Sequence, residues 1–155
     1  MEDASDLLLP EGTLAPDFTV QDREGKPIRL SDFQGRVVLL DFWATWCGPC
    51  KQAMPHTAEI ARKYQDQGVV VFAVNVWDRP EAMEAWLQQH PEYEAVIFAI
   101  DTAEKGKDVA RTLYQVPGIP TQYVIDRQGT IVRGFLGWDE SNPEIEAAIR
   151  AGGGF

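Results

Sequence analysis

The chain has 155 residues, 45% apolar and 25% charged, with 24 acidic against 14 basic side chains and a net charge of −10. That mix suits one soluble domain, long enough to bury a core without a metal or disulfide staple. The acidic balance argues against nucleic acid or an anionic membrane surface as the main partner, and two cysteines are too few for a disulfide scaffold.

Residues 1–15, acidic and carrying Pro10 and Gly12, read as a mobile arm or linker, with residues 1–11 as the arm and the folded domain at 12–151. The acidic start lacks the basic and apolar blocks of a secretory signal. Phe18-Thr19-Val20 and Ile28-Arg29-Leu30 are short strand signals flanking Gly25, a hairpin pattern. Val37 to Trp43 is apolar at both parities, the pattern of a central strand covered on both faces. Asp41 interrupts that run, which is far too short to span a bilayer, so no membrane-spanning segment is expected. Lys51 to Gln67 predicts a helix with Ala53, Thr57, Ile60, Ala61 and Tyr64 on one face and Gly68 as its stop. Val69–Val76 predicts a buried strand, Pro80–His90 a short helix, Ala95–Ile100 a third strand and Asp108–Gln115 a further helix. Thr121–Ile125 and Thr130–Phe135 form a hairpin about Asp126-Arg127-Gln128-Gly129. Ser141–Arg150 is a last helix, with Glu144 three residues after Ser141 as in a capping box, and residues 151–155 read as frayed. Strands alternating with helices, then a hairpin and a helix, make an α/β domain with a central mixed sheet and helices on both faces.

Chemistry concentrates in Trp46-Cys47-Gly48-Pro49-Cys50, between a buried strand and a helix. At a helix N-terminus, free N–H groups and the dipole favour the thiolate of Cys47, while Cys50 lies one turn inside and more shielded. Cys47 is therefore expected to attack and Cys50 to resolve. A zinc site would need about four ligands, and the chain offers only His56 and His90 besides this pair. Haem attachment would need His where Lys51 stands. Asp41, buried whichever way it points, should have a raised carboxyl pKa.

Asp41-Phe42-Trp43-Ala44-Thr45-Trp46-Cys47-Gly48-Pro49-Cys50-Lys51 resembles the active-site segment of the thioredoxin superfamily. Pro55 falls where that family kinks its helix, and Gly118-Ile119-Pro120-Thr121 resembles its cis-proline loop. Gly12-x-x-Ala15-Pro16-Asp17-Phe18 and Leu30-Ser31-Asp32-Phe33-x-Gly35, with an inserted helix and strand near residues 77–104, resemble the TlpA/ResA branch. The resemblance implies a thioredoxin fold with an N-terminal hairpin and a helix–strand insertion. It makes Asp41 the proton acceptor and donor for the resolving cysteine, although Ala73 stands where thioredoxin places a lysine. It implies a cis bond at Ile119–Pro120, with the backbone of Ile119 beside Cys47 and free to pair with an extended substrate. Trp46, Gly48 and Pro49 would border that substrate. Asp78 falls where the branch places an acid near the cysteines, but Asp78-Arg79-Pro80-Glu81 also reads as a capping box with Asp78 as N-cap. Gly137 is either a groove-lining residue or a turn glycine.

The expected function is a thiol–disulfide oxidoreductase, a monomer reducing protein or peptide disulfides with electrons from an upstream thiol reductant, without a cofactor or metal. The Gly-Pro spacer resembles that of thioredoxin, a reducing couple. A peroxiredoxin-like peroxidase is the alternative, since Ala15-Pro16-Asp17-Phe18 occurs there too, but its Pro-x-x-x-Thr-x-x-Cys signature meets Leu40 and Ala44 here. A role in cytochrome c maturation, or as a non-catalytic interaction domain, stays open. The branch implies an extracytoplasmic location, periplasmic or membrane-tethered; a full-length chain with this start would be cytoplasmic.

Overall fold

All seven residues of β3 (Val37–Trp43) are buried. The pleat sends Val37, Leu39 and Trp43 into one apolar cluster and Val38, Leu40 and Phe42 into another, so β3 divides two cores. In the computed structural model, residues 4–139 and 143–155 are described. β4 (Val69–Asn75) pairs parallel to β3, and β5 (Ile97–Ile100) parallel to β4. On the other side of β3 runs β6 (Thr121–Ile125), antiparallel, then β7 (Ile131–Leu136). β1 (Thr19–Asp22) pairs antiparallel with both β5 and β2 (Pro27–Arg29). The sheet order is β2-β1-β5-β4-β3-β6-β7, a mixed sheet in which the inserted strand receives the N-terminal hairpin.

One face is covered by α1 (Gly48–Lys63), α2 (Pro80–Gln88) and α4 (Glu144–Gly153), whose Met54, Ala58, Leu87 and Ile149 share a cluster with Leu39 and Trp43. The other face is covered by α3 (Val109–Thr112) and by the N-terminal segment, through Ala110, Leu8, Phe18 and Leu30. Leu9 N–H donates to Tyr123 Oη at 3.1 Å, and Leu14 bridges to Thr130, so the segment expected as an arm lies along the sheet.

Several boundaries differ from the sequence reading. α1 starts at Gly48 rather than Lys51, because Pro49 has the φ a first helical turn needs and no N–H to orphan. It continues through Pro55 and gives way to a 3-10 turn, Gln65–Gln67, closed by Gly68 at φ 76°. α3 keeps four regular residues, with Asp108 as N-cap accepting from Arg111 N–H. α4 runs on through Gly152 and Gly153, and the Phe155 ring packs 5.8 Å from Tyr64, so this end is helical, not frayed. Ser141, the expected cap, lies outside the described residues.

Candidate active site

Cys47 is the N-cap of α1. Its backbone is extended (φ −92°, ψ 109°), and its Sγ accepts from Cys50 N–H at 3.2 Å. Three features meet at that sulfur: a helix N-terminus, a donated N–H and the dipole. In the reduced protein they favour the thiolate. Cys47 and Cys50 are joined as a disulfide with Cα atoms 5.3 Å apart, inside the span a bridge needs. Cys47 is 5% and Cys50 1% exposed, so both are enclosed and Cys47 slightly less. Gly48 and Pro49 are exposed beside them, and Trp46 is 58% exposed.

The loop before β6 reaches this sulfur from across the chain. Cys47 Sγ lies 3.7 Å from the Ile119 carbonyl oxygen, and the Ile119–Pro120 peptide is cis. Thr121 Oγ1 donates to Gly118 O at 2.6 Å, and Gly137 N–H donates to Pro120 O at 2.8 Å. Gly137 has φ 82°, so it is a turn residue at the end of β7 and also holds the proline loop.

Two carboxyl groups flank the site in opposite electrostatic conditions. Asp41 is 2% exposed and shares its parity on β3 with Leu39 and Trp43, the face that α1 covers. Burial pushes its carboxyl up to about 7, with the Gln122 side chain pulling the other way. Its cross-strand neighbours are Ala73 on β4 and Gln122 on β6. Ala73 brings no cation, and Asp41 Oδ1 has no hydrogen-bond partner among the described residues. Gln122 also donates through Nε2 to Thr57 Oγ1 of α1 at 3.2 Å. A buried acceptor without a partner is costly when charged, which is the physical source of the raised pKa.

Asp78 is the opposite case. Partial burial pushes its carboxyl up, but donors from Thr45, Arg79 and Asn75 outweigh this and hold it below the usual carboxylate range. Oδ2 accepts from Thr45 N–H at 2.8 Å, Thr45 Oγ1 at 2.7 Å and Asn75 Nδ2 at 3.2 Å. The N-cap expectation is corrected: Arg79 occupies the cap of α2 without a side-chain bond, and Asp78 turns back to the segment before Cys47. Trp46 Nε1 donates to Trp77 O at 2.8 Å, a third tie between that segment and the end of β4.

Sequence reasoning assigns no site role to Thr45, Thr57 or Gln122, while Trp77-Asp78 is expected at the end of the Val69–Val76 strand, at the edge where the active site lies. Gln122 carried a usable signal, since it is a polar residue in an apolar strand, as Asp41 is. Trp43, expected in the core, is fully buried against the rings of Trp86 and Phe98. His56 lies away from the sulfurs, its ring 5.3 Å from Trp138 and Nε2 3.9 Å from Glu146. No cluster of three His, Cys, Asp or Glu able to hold a metal occurs among the described residues.

Residues 12–133 match the AhpC/TSA family model. The thiol-disulfide oxidoreductase ResA of Bacillus thuringiensis subsp. konkukian is 34% identical over 139 residues, 90% of this chain and 76% of that protein. A Chlorobium tepidum structure described as a thiol:disulfide interchange protein, DsbE, superposes with a TM-score of 0.81 at 36% identity, covering 94% of this chain and 99% of that one. The exposed lipoprotein thioredoxin of Streptococcus pneumoniae superposes with a TM-score of 0.70 at 33% identity, over 86% of this chain and 98% of that one.

Proposed function

Given that the chain belongs to the AhpC/TSA family, and within it is a thioredoxin-fold thiol–disulfide oxidoreductase related to ResA, we propose that it works as a monomeric reductase of protein disulfides with Cys47 attacking and Cys50 resolving. The observation that carries this assignment of roles is the N-cap position of Cys47, whose sulfur takes the Cys50 N–H while Cys50 lies inside the first turn.

The Cys47 thiolate attacks one sulfur of the substrate disulfide. That S–S bond breaks, the first substrate thiolate leaves and takes a proton, and a mixed disulfide with Cys47 forms. Cys50 gives its proton to the Asp41 carboxylate and attacks the Cys47 sulfur. The second substrate thiolate leaves and is protonated. The substrate gains two electrons and two protons, and the protein dithiol becomes the Cys47–Cys50 disulfide. An upstream thiol reductant reverses that last change.

Opposed environments separate the two acids by role. Asp41, with one carboxyl oxygen unpartnered among the described residues and titrating near neutrality, suits proton transfer. Asp78, ionised and held by several donors, positions Thr45 and hence the approach to Cys47. In the loop before β6, Ile119 N–H has no acceptor among the described residues. Together with Trp46 it offers an extended substrate both a backbone donor and an apolar surface.

Leu40 and Ala44, both fully buried, stand where a peroxidase would need Pro and Thr, which favours disulfide exchange over the peroxidase alternative. The same dithiol could serve cytochrome c maturation, which differs in substrate rather than chemistry. The likeness to an exposed lipoprotein supports an extracytoplasmic location. No helix among the described residues is long and apolar enough to cross a membrane.

Insulin reduction and equilibration with glutathione buffers test this reading. The expected results are turnover and a potential below about −200 mV; a potential near −120 mV would make the protein an oxidant instead.

A further inference from the structure

Trp77, directly after β4, has φ 55°, in the left-handed region that a bulky aromatic residue rarely occupies. Strained backbone of this kind persists where the surroundings over-determine it, often at binding sites. Here the surroundings include the redox centre: Trp77 O holds the Trp46 indole, and Asp78 next to it holds Thr45. These bonds tie the Trp77 backbone to the segment before Cys47, at the sheet edge where the parallel strands β3 and β4 both end, while the Trp77 ring packs against the cluster on the face away from α1, which Ile119 also joins.

Two cations from beyond β5 reach over that ring. Lys105 Nζ lies 4.6 Å and Arg111 Cζ 4.8 Å from its centroid, and both residues are exposed. The chain has ten more acids than bases, yet neither cation has a carboxylate partner among the described residues. The nearby acids are engaged elsewhere. Asp101 accepts from Ala103 N–H and Val109 N–H, and Asp108 accepts from Gly106 N–H and Arg111 N–H. Glu104 pairs with Lys107 at 3.3 Å. The loop is pinned by its own acids while two cations face outward on an aromatic platform. A guanidinium stacked on a ring keeps its in-plane N–H fork free for a carboxylate.

We propose that Lys105 and Arg111 on Trp77 form a carboxylate-binding subsite at the sheet edge that carries Cys47, so that this protein prefers protein disulfides flanked by Asp or Glu. The proposal rests on Cys47 as the attacking thiol. It commits to an acidic polypeptide by charge complementarity. At physiological ionic strength charges are screened beyond about 8 Å, so the cations at the rim decide the contact and the distant negative charge does not.

The test uses the whole chain and three disulfide-linked peptide dimers that differ only in Glu, Gln or Lys beside the cysteine. Hydroxyethyl disulfide serves as an uncharged reference. At about 0.15 M salt the Glu peptide should be reduced about tenfold faster than the Lys peptide, and the gap should shrink at about 1 M, where screening reaches about 3 Å. K105Q/R111Q should erase the preference, and K105E/R111E should invert it. Both variants should reduce hydroxyethyl disulfide at the wild-type rate, since neither residue touches the sulfurs. Equal rates for the three peptides in the wild type, or an unchanged preference in the variants, would overturn the subsite while leaving the dithiol chemistry intact. Failure of the wild type to reduce hydroxyethyl disulfide would instead overturn the redox reading. The wild-type series and its salt dependence do not depend on how well the variants fold.

Discussion

The two faces of the sheet are built from alternate residues of the same strands, yet they bury different kinds of group. Away from α1, Phe18, Phe72 and Tyr114 pack with ring centroids 5.7–6.0 Å apart, and Phe33 and Phe42 join them. The buried hydroxyls there are satisfied: Tyr114 Oη donates to Pro16 O at 2.6 Å and Tyr123 Oη to Tyr114 O at 2.7 Å. Beneath α1, the same strands bury Asp41 and Gln122 next to the cluster that contains both cysteines. One face therefore stabilises the fold with closed, neutral contacts. The other carries a carboxyl that is destabilising when charged, and that cost is what makes it titrate where proton transfer is useful.

The sharpest way to separate the faces is to remove one side chain from each. Cys47→Ser should abolish insulin reduction while leaving the fold intact, and Cys50→Ser should accumulate a mixed disulfide visible by mass spectrometry. On the opposite face, Phe72→Ala should cost about 3–5 kcal/mol in denaturant unfolding, with the exchange rate of the folded protein unchanged. A slowed exchange step in Phe72→Ala would break the division between the faces.

The buried carboxyl makes the division pH-dependent. The Asp41 pKa is raised in the folded state, from a reference of 3.8 to about 7. Its contribution to stability is thus fully present below about pH 4 and is lost as the pH rises through about 7. Asp41→Asn should therefore be more stable than the wild type at pH 8, by about 2–4 kcal/mol, and nearly equal to it near pH 4. Urea unfolding at both pH values checks the sign; equal stability at pH 8 would show that the carboxylate is better solvated than its burial implies. Gln122→Leu should have the smallest effect. Removing the amide beside Asp41 should move the carboxyl titration above about 7 and cost about 1 kcal/mol, read by carboxyl NMR and by unfolding.

Much of this was legible in the chain because the deciding patterns are local. A run apolar at both parities placed β3 in the centre, and one acid inside it marked Asp41 as buried. The paired motifs about Cys47 and Pro120 implied the fold and the chemistry together. What escaped depends on partners distant in sequence. Asp78 looked like a cap because its spacing to Glu81 is local, whereas its strongest partner, Thr45, lies 33 positions away. The C-terminal glycines looked frayed because their composition is poor for a helix, yet Phe155 packs on Tyr64. Gln122 passed as an ordinary strand residue, since only the β3–β6 register sets it opposite Asp41.

The most direct test of Asp41 as the proton-transfer group is the rate of mixed-disulfide resolution by Cys50, followed by rapid quench from pH 5 to 9 in the wild type and in Asp41→Asn. The wild-type rate should rise through an inflection near pH 7, where the carboxyl ionises. The variant should lack that inflection and resolve at least about 100-fold more slowly at pH 7, the scale of a lost general base. Superimposable profiles would show that Asp41 is a buried structural acid and that Cys50 finds its proton acceptor elsewhere.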